Sequence, residues 1–228
     1  MLLLGDSALT IEFGNEIDQK INARAIAFAE TIVRQRWNGI HDIVPTYRSV
    51  TVHFDPLQWD SATLAKRLKT LPRREPGRAE LHGILHEIPV LYGGEWGPDL
   101  EEIATFAGLQ PAEAIALHAS IYYRVYMLGF SPGFPYLGLV PERLAIPRRA
   151  TPRTKVPAGS VGIADRQTGI YPTATPGGWQ LIGRTPVAMY RKTRSNPCLL
   201  KPGDSVRFKP IAQDEFDHLS REGRHDND

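Results

Sequence analysis

The sequence predicts an α+β chain: a ferredoxin-like N-terminal domain followed by an antiparallel β-domain of barrel or sandwich type. Three observations predict this class. Apolar periodicity over residues 1–90 switches between the strand and helix types in the order β-α-β-β-α-β, which lets two helices cover one face of an antiparallel sheet. From Tyr122 to Phe208 short β-prone runs alternate with Gly/Pro turns, as they do where a sheet closes on itself or packs on a second one. Between these regions, Asp99–Gly108 and Pro111–Ser120 have the spacing of two short helices. The expected division is residues 1–90 for the α/β domain, 91–212 for the β-domain with its leading helices, and 213–228 for a terminal helix and a disordered charged tail.

Each element has its own signal. Leu9–Phe13 alternates as a strand does, and Asn15 is the expected N-cap of a helix over 16–36, whose Ile17, Ile21, Ala25, Phe28 and Ile32 share one face until Gly39 ends it. Asp42–Tyr47 and Ser49–Phe54 are strands joined by a short turn, with Pro45 marking an edge or a bulge. Asp60 caps a second helix running to Leu71, with Leu64 and Leu68 turned to the core. Pro72–Glu80 is polar and aperiodic, a loop or linker, and Leu81–Leu91 returns to an extended pattern. Pro111 opens its helix at the first position, with Glu113 in the first turn. The terminal helix is expected over 213–221 and the tail from Glu222 onward.

Composition narrows the function classes. Lys+Arg 27 against Asp+Glu 25 in 228 residues leaves a formal charge of +2, which gives no argument for a nucleic-acid or membrane-surface partner. The single cysteine, Cys198, excludes an internal disulfide framework and reads as a small buried hydrophobe. The apolar start MLLLGDSALTI lacks the basic and long apolar regions of a signal peptide, and no stretch is long and apolar enough to span a bilayer, so a cytoplasmic protein is expected. There is no phosphate loop of the GxxxxGK[ST] type, no GxGxxG, no HExxH and no Cys/His cluster with metal-ligand spacing, so no metal site is expected. Ser131 and Ser160 stand outside any GxSxG elbow.

The segment Leu128–Pro186 carries the functional signal. Its glycines and prolines specify rigid loops, and those loops hold aromatic and basic side chains. Arg148, Arg149, Arg153 and Lys155 fall within eight residues among three prolines, so that Arg153 and Lys155 share one side of an extended backbone and suit a carboxylate or phosphate. A solvated basic loop explains the same run. Thr175–Trp179 (TPGGW) offers the amides of Gly177 and Gly178 beside an indole, although a plain hairpin turn has the same composition. Gln167, Tyr171 and Arg184 lie in the flanking runs.

The strings GFSPGFPYLG (129–138), VPAGSVGI (156–163), QTGIYP (167–172), TPGGW, LIG (181–183) and TP (185–186), in this order, closely resemble the allophanate hydrolase subunit 1 family, in its branch of 5-oxoprolinase B components and KipI-type kinase inhibitors. YGGEWGPDLEEIA (92–104), RVYMLGF (124–130) and KPGDSVRF (201–208) extend the likeness over most of the chain, with residues 1–90 matching more loosely. The resemblance implies a cyclophilin-like β-barrel after the ferredoxin-like domain. It implies a non-autonomous component of an ATP-dependent lactam hydrolase that opens 5-oxoproline to glutamate with a homologous subunit 2 (the C component) and a LamB/YcsF-type A component. ATP, with Mg as counter-ion, would be bound here or jointly with a partner. Inhibition of a sensor histidine kinase, or service in a related allophanate hydrolase or carboxyltransferase system, are the alternatives it allows.

On that reading Arg148, Arg153, Lys155, Gln167, Tyr171, Gly177, Gly178 and Trp179 bind substrate or nucleotide. Phe130, Phe134, Pro135, Tyr136 and Arg184 line the pocket or meet a partner, and His118 is the candidate proton-transfer group. One departure stands out: in GIADRQTG, Asp165 occupies a turn position where a small residue is expected, a place Asp tolerates because it accepts the left-handed conformation.

Overall fold

The computed structural model describes residues 1–73, 75, 77 and 83–225. The chain divides into two units, Met1–Gly83 and Ile84–Asp228. The first contains β1 (Leu2–Leu4), β2 (Ala8–Glu12), α1 (Gln19–Gln35), β3 (Ile40–Pro45), β4 (Ser49–Phe54) and α2 (Ser61–Thr70). Its sheet runs in the order β1-β2-β4-β3, with every neighbour antiparallel. Val50, Val52 and Phe54 alternate onto the face that meets Ala25, Phe28 and Ile32 of α1 and Leu64 and Leu68 of α2. Helices on one face of an antiparallel sheet are the α+β arrangement the periodicity predicted.

Details differ from the sequence expectation for physical reasons. Asp18, not Asn15, caps α1, because its carboxylate accepts from the backbone N–H groups of Lys20 at 2.8 Å and Ile21 at 2.9 Å. The helix ends at Arg36, held left-handed at φ 50°, ahead of Gly39. Ile17 therefore precedes the helix and is exposed. Asp60 caps α2 as expected. Pro45 closes β3, an edge strand with a bulge near its start. The fourth strand of the sheet is Leu2–Leu4, paired to β2 through a tight local turn. The extended segment expected to complete it instead opens the second unit as β5 (Leu85–Tyr92). Periodicity identifies strands and leaves their partners open, and a local hairpin closes with less chain entropy than a distant one. Of the expected linker Pro72–Glu80 and the residues leading into β5, 74, 76 and 78–82 lie outside the described residues.

The second unit continues with α3 (Leu100–Ala107), α4 (Pro111–Ala119), β6 (Tyr122–Leu128), β7 (Pro135–Gly138), a 3₁₀ turn (Glu142–Leu144), β8 (Arg153–Val156), β9 (Ser160–Ala164), β10 (Gln167–Ile170), β11 (Thr175–Gly177), β12 (Gln180–Arg184), β13 (Ser205–Pro210) and α5 (Gln213–His225). Seven strands close into a barrel in the order β10-β7-β6-β13-β5-β12-β9, and β8 with β11 forms a separate two-stranded ribbon. Seven is odd, so alternating directions cannot close the ring, and one neighbouring pair must run parallel. That pair is β5 and β13, in continuous register from Leu85↔Ser205 to Val90↔Pro210. Asp165 sits in the β9–β10 hairpin at φ 50°, the conformation for which Asp is suited. The backbone N–H of Gln110 donates to Glu113 at 2.8 Å, fixing the start of α4. The terminal helix runs past the expected 221 to His225, and 226–228 lie outside the described residues.

Gly97 holds the loop before α3 directly against β12. A Cβ there would overlap the Ile182 carbonyl, while Asp99 N–H donates to Leu181 O at 2.9 Å close by. Because the obstacle is backbone, Gly97→Ala is expected to destabilise the chain by about 3 kcal/mol, measurable as a lowered midpoint in urea.

Candidate functional site

A cleft of about 90 Å³ in the second unit is built by four segments of the chain. The β6–β7 connection and β7 supply Phe130, Phe134 and Tyr136, the loop after the 3₁₀ turn supplies Arg148, Tyr171 follows β10, Gly177 ends β11, and Gly178 and Trp179 lie between β11 and β12. All eight were singled out in the sequence. Phe134 is the hub: its ring meets Tyr136 at 5.0 Å, Tyr171 at 5.2 Å and Trp179 at 5.4 Å, in each case edge to face. Gly177 leaves the space that the Tyr171 ring fills, since a Cβ would stand 2.5 Å from its hydroxyl.

Phe130 closes the mouth. It is 61% exposed, yet its ring lies 5.4 Å from Phe134 and its backbone is held at φ 64°. A bulky residue in the left-handed region costs about 1–3 kcal/mol, and the turn bonds Ser131 N–H to Gly129 O (2.7 Å) and Phe134 N–H to Ser131 O (3.0 Å) impose it. Burial pushes the Tyr171 and Tyr136 phenols up, opposed by Arg148 beside both and, at Tyr171, by a backbone hydrogen bond from Trp179 and by Arg153. Both phenols therefore remain protonated donors at neutral pH. Arg148 has no carboxylate partner among the described residues and presents a free cation to the cleft.

Its neighbours in the cationic run do something else. Arg153 Nη2 donates to Asp99 Oδ1 at 2.6 Å, Arg149 Nη1 donates to the same oxygen at 3.1 Å, and the backbone N–H of Leu181 donates to Oδ2 at 2.6 Å. Asp99 is 4% exposed. Sequence reasoning missed this acid, placing it at a helix start, where it makes no side-chain cap bond. The one available signal was an acid with no cap role in a chain whose basic run has no acid of its own. Arg153 is thus absent from the cleft lining and shares the Asp99 carboxylate with Arg149. Lys155 is exposed on β8, and Gln167, Pro135 and Arg184 are also absent from the cleft lining. Pro135 is buried beneath it, Gln167 pairs with Gly138 and Ala164, and Arg184 stacks over Trp96 at 4.6 Å.

His118 belongs to the barrel core. Thr168 Oγ1 donates to Gly162 O at 3.0 Å, so it accepts from His118 Nε2 at 3.1 Å, and the opposite nitrogen accepts from Tyr92 Oη at 2.9 Å. The ring stacks on Phe208 at 4.6 Å. Burial drives its pKa down to about 3, so it stays neutral, with both nitrogens occupied by protein. No group of three or more His, Cys, Asp or Glu side chains among the described residues is arranged to hold a metal, and no helix among them is long and apolar enough to cross a membrane.

Residues 1–200 match the family model described as "Carboxyltransferase domain, subdomain C and D". The 5-oxoprolinase B component of Bacillus subtilis is 44% identical over 223 residues, covering 93% of each chain. The chain belongs to the family of 5-oxoprolinase B components. The Haemophilus influenzae family member is 48% identical over 182 residues, 80% of this chain and 84% of that one. The crystal structure of TTHA0988 superposes with a TM-score of 0.80 at 41% identity, covering 90% of this chain and 40% of that longer chain. The fold described above is thus shared with that structure over 90% of this chain.

In this family member, Asp99→Ala leaves two guanidinium groups without their anion and is expected to cost about 3–5 kcal/mol in chemical denaturation. The unfolded chain protonates His118 near 6.5, whereas the folded chain resists until about 3. Stability must therefore fall as pH drops through that window, by roughly 1.4 kcal/mol per unit at most. Denaturation midpoints of wild type and His118→Asn between pH 7 and 4 check this, the variant lacking that part of the slope.

Proposed function

We propose that this chain is the B component of a cytoplasmic, ATP-dependent 5-oxoprolinase, inactive alone, and that the aromatic cleft receives the lactam. The observation that carries the reading is the coincidence of the Phe134-centred cleft and free Arg148 with family membership across nearly the whole chain. A lactam carbonyl is a poor electrophile. Transfer of the γ-phosphoryl group to its oxygen forms an O–P bond, breaks the bond to ADP and releases the amide proton. Water then adds to the activated carbon, the ring nitrogen leaves as the amine, and a second water cleaves the acyl phosphate to glutamate and phosphate.

The apolar walls of the cleft exclude bulk water and hold the ring. The phenols of Tyr136 and Tyr171 and the amides of Gly177 and Gly178 orient its oxygens, and Arg148 stabilises charge on the phosphoryl group in transit. The homologous C component and the LamB/YcsF-type A component complete the enzyme, with Mg accompanying ATP. The greater length of TTHA0988, of which the match occupies 40%, supports a unit that works joined to further domains. The exposed ring of Phe130 favours a second reading, docking on a sensor histidine kinase, because rigid exposed aromatics make strong protein contacts.

The deciding assay is 5-oxoproline-dependent ATP hydrolysis by the chain alone and with its two partners. Activity is expected only on reconstitution. Arg148→Ala in the assembled enzyme is expected to reduce kcat by about 10²–10³, and Gly177→Ala to raise KM by displacing Tyr171. Gly178→Ala, whose Cβ would meet Pro152 at an ordinary 3.6 Å, is expected to leave folding intact. Silence of a verified three-component assembly, together with inhibition of kinase autophosphorylation, would overturn the enzymatic reading.

A further inference from the structure

The aromatic cleft has a fixed floor and one open side. At about 90 Å³ it falls below the ~300–1,000 Å³ of sites for drug-sized ligands, so it takes a single small ring. Phe134 and Trp179, 2% and 5% exposed, cannot recede to enlarge it, because their rings rest on the backbone of β10: a Cβ on Gly169 would stand 3.0 Å from each. The two exposed members of the lining are Phe130 and Arg148. Any group that a bound lactam carries beyond its ring must therefore leave the cleft between them. Arg148 is a long side chain with many rotamers and can swing aside. Phe130 has no such freedom. Its turn is closed by Gly129 N–H donating to Phe134 O at 3.2 Å, besides the two turn bonds already described. Gly133, at φ 81°, packs the same turn against Tyr190, where a Cβ would stand 2.9 Å from the Tyr190 Cβ. The Phe130 ring itself meets Phe134 at 5.4 Å and Tyr171 at 6.3 Å, edge to face in both pairs.

We propose that Phe130 is the specificity-determining residue of the cleft, a fixed rim that admits the free lactam acid and rejects a 5-oxoprolyl group at the head of a peptide. A left-handed backbone that holds a large apolar ring in solvent is unfavourable on both counts, and such outliers persist where they serve a site. A carboxylate on the lactam ring ends at the rim. Each further residue extends it by about 3.5 Å, into the space that the Phe130 ring occupies. Because that ring is uncharged and held in place, it discriminates by size and not by charge. This selectivity rests on the 5-oxoprolinase reading above and decides which lactams such an enzyme opens.

The experiment measures kcat/KM of the three-component assembly for 5-oxoproline and for 5-oxoprolylglycine, followed as ring opening. The wild-type assembly is expected to favour the free acid by about 100-fold. Phe130→Ala is expected to raise kcat/KM for 5-oxoprolylglycine by about tenfold or more, a gain that loss of a merely structural side chain would not produce. Phe130→Gly, which removes the ring and also accommodates the left-handed backbone, is expected to show the same gain without a lowered urea midpoint. Phe130→Tyr is expected to keep the wild-type preference. Equal use of both lactams by the wild type overturns the proposal, as does failure of both Phe130→Ala and Phe130→Gly to gain turnover of the peptide. Opening of 5-oxoproline by the same wild-type assembly reads the functional reading separately. Its presence beside either negative result removes the role of Phe130 alone, and its absence overturns both.

Discussion

The second unit is organised around one buried carboxylate. Asp99 commits Oδ1 to two guanidinium groups and Oδ2 to the Leu181 amide, so a charge that would be costly in the interior is balanced and fully bonded. What those three donors hold is the cleft. Arg149 is the chain neighbour of Arg148, Arg153 lies opposite Gly177 in the β8–β11 ribbon, and Leu181 is two residues beyond Trp179. Two of the four regions that line the cleft, the Arg148 loop and the Gly177–Trp179 stretch, are therefore anchored within two residues or one register position of a donor to Asp99. A loop-built site gains the rigidity of a core from this arrangement.

The same anchoring divides labour within the basic run. Four cations that look alike in sequence separate into two that fix the scaffold, one that faces the cleft and one, Lys155, that remains at the surface. Arg148 has no carboxylate partner among the described residues and keeps its charge for an anion. Phe130 adds a second kind of commitment, since its left-handed backbone is maintained by turn bonds and holds a large ring over the opening.

Much of this was legible in the sequence. The cleft lining was, because Gly/Pro-rich loops carrying aromatics are unusual outside a site, and because Phe134, Tyr171 and Trp179 fall within one such segment. The role of Arg153 was not, because its counter-charge lies 54 residues away along the chain, and only folding brings the two together. His118 was legible as a helix residue and not as a core one. Its partners Tyr92 and Thr168 come from strands 26 residues before and 50 after it. The class of the fold followed from periodicity, whereas the exchange of Leu2–Leu4 for β5 in the first sheet followed from pairing, which periodicity does not encode.

The parallel contact of β5 with β13 sets a timetable for making the molecule. The first strand of the barrel waits for one of the last, 120 residues later in the register Leu85↔Ser205, before the ring can close. During synthesis the ribosome holds the end of the chain while β5 and β6 both present open edges, since β13 is the strand that lies between them. Such edges are templates for pairing with other chains. A barrel closed by its final strand is thus most exposed to aggregation just before it is finished, and a message cut short of β13 yields a sticky product instead of a smaller domain.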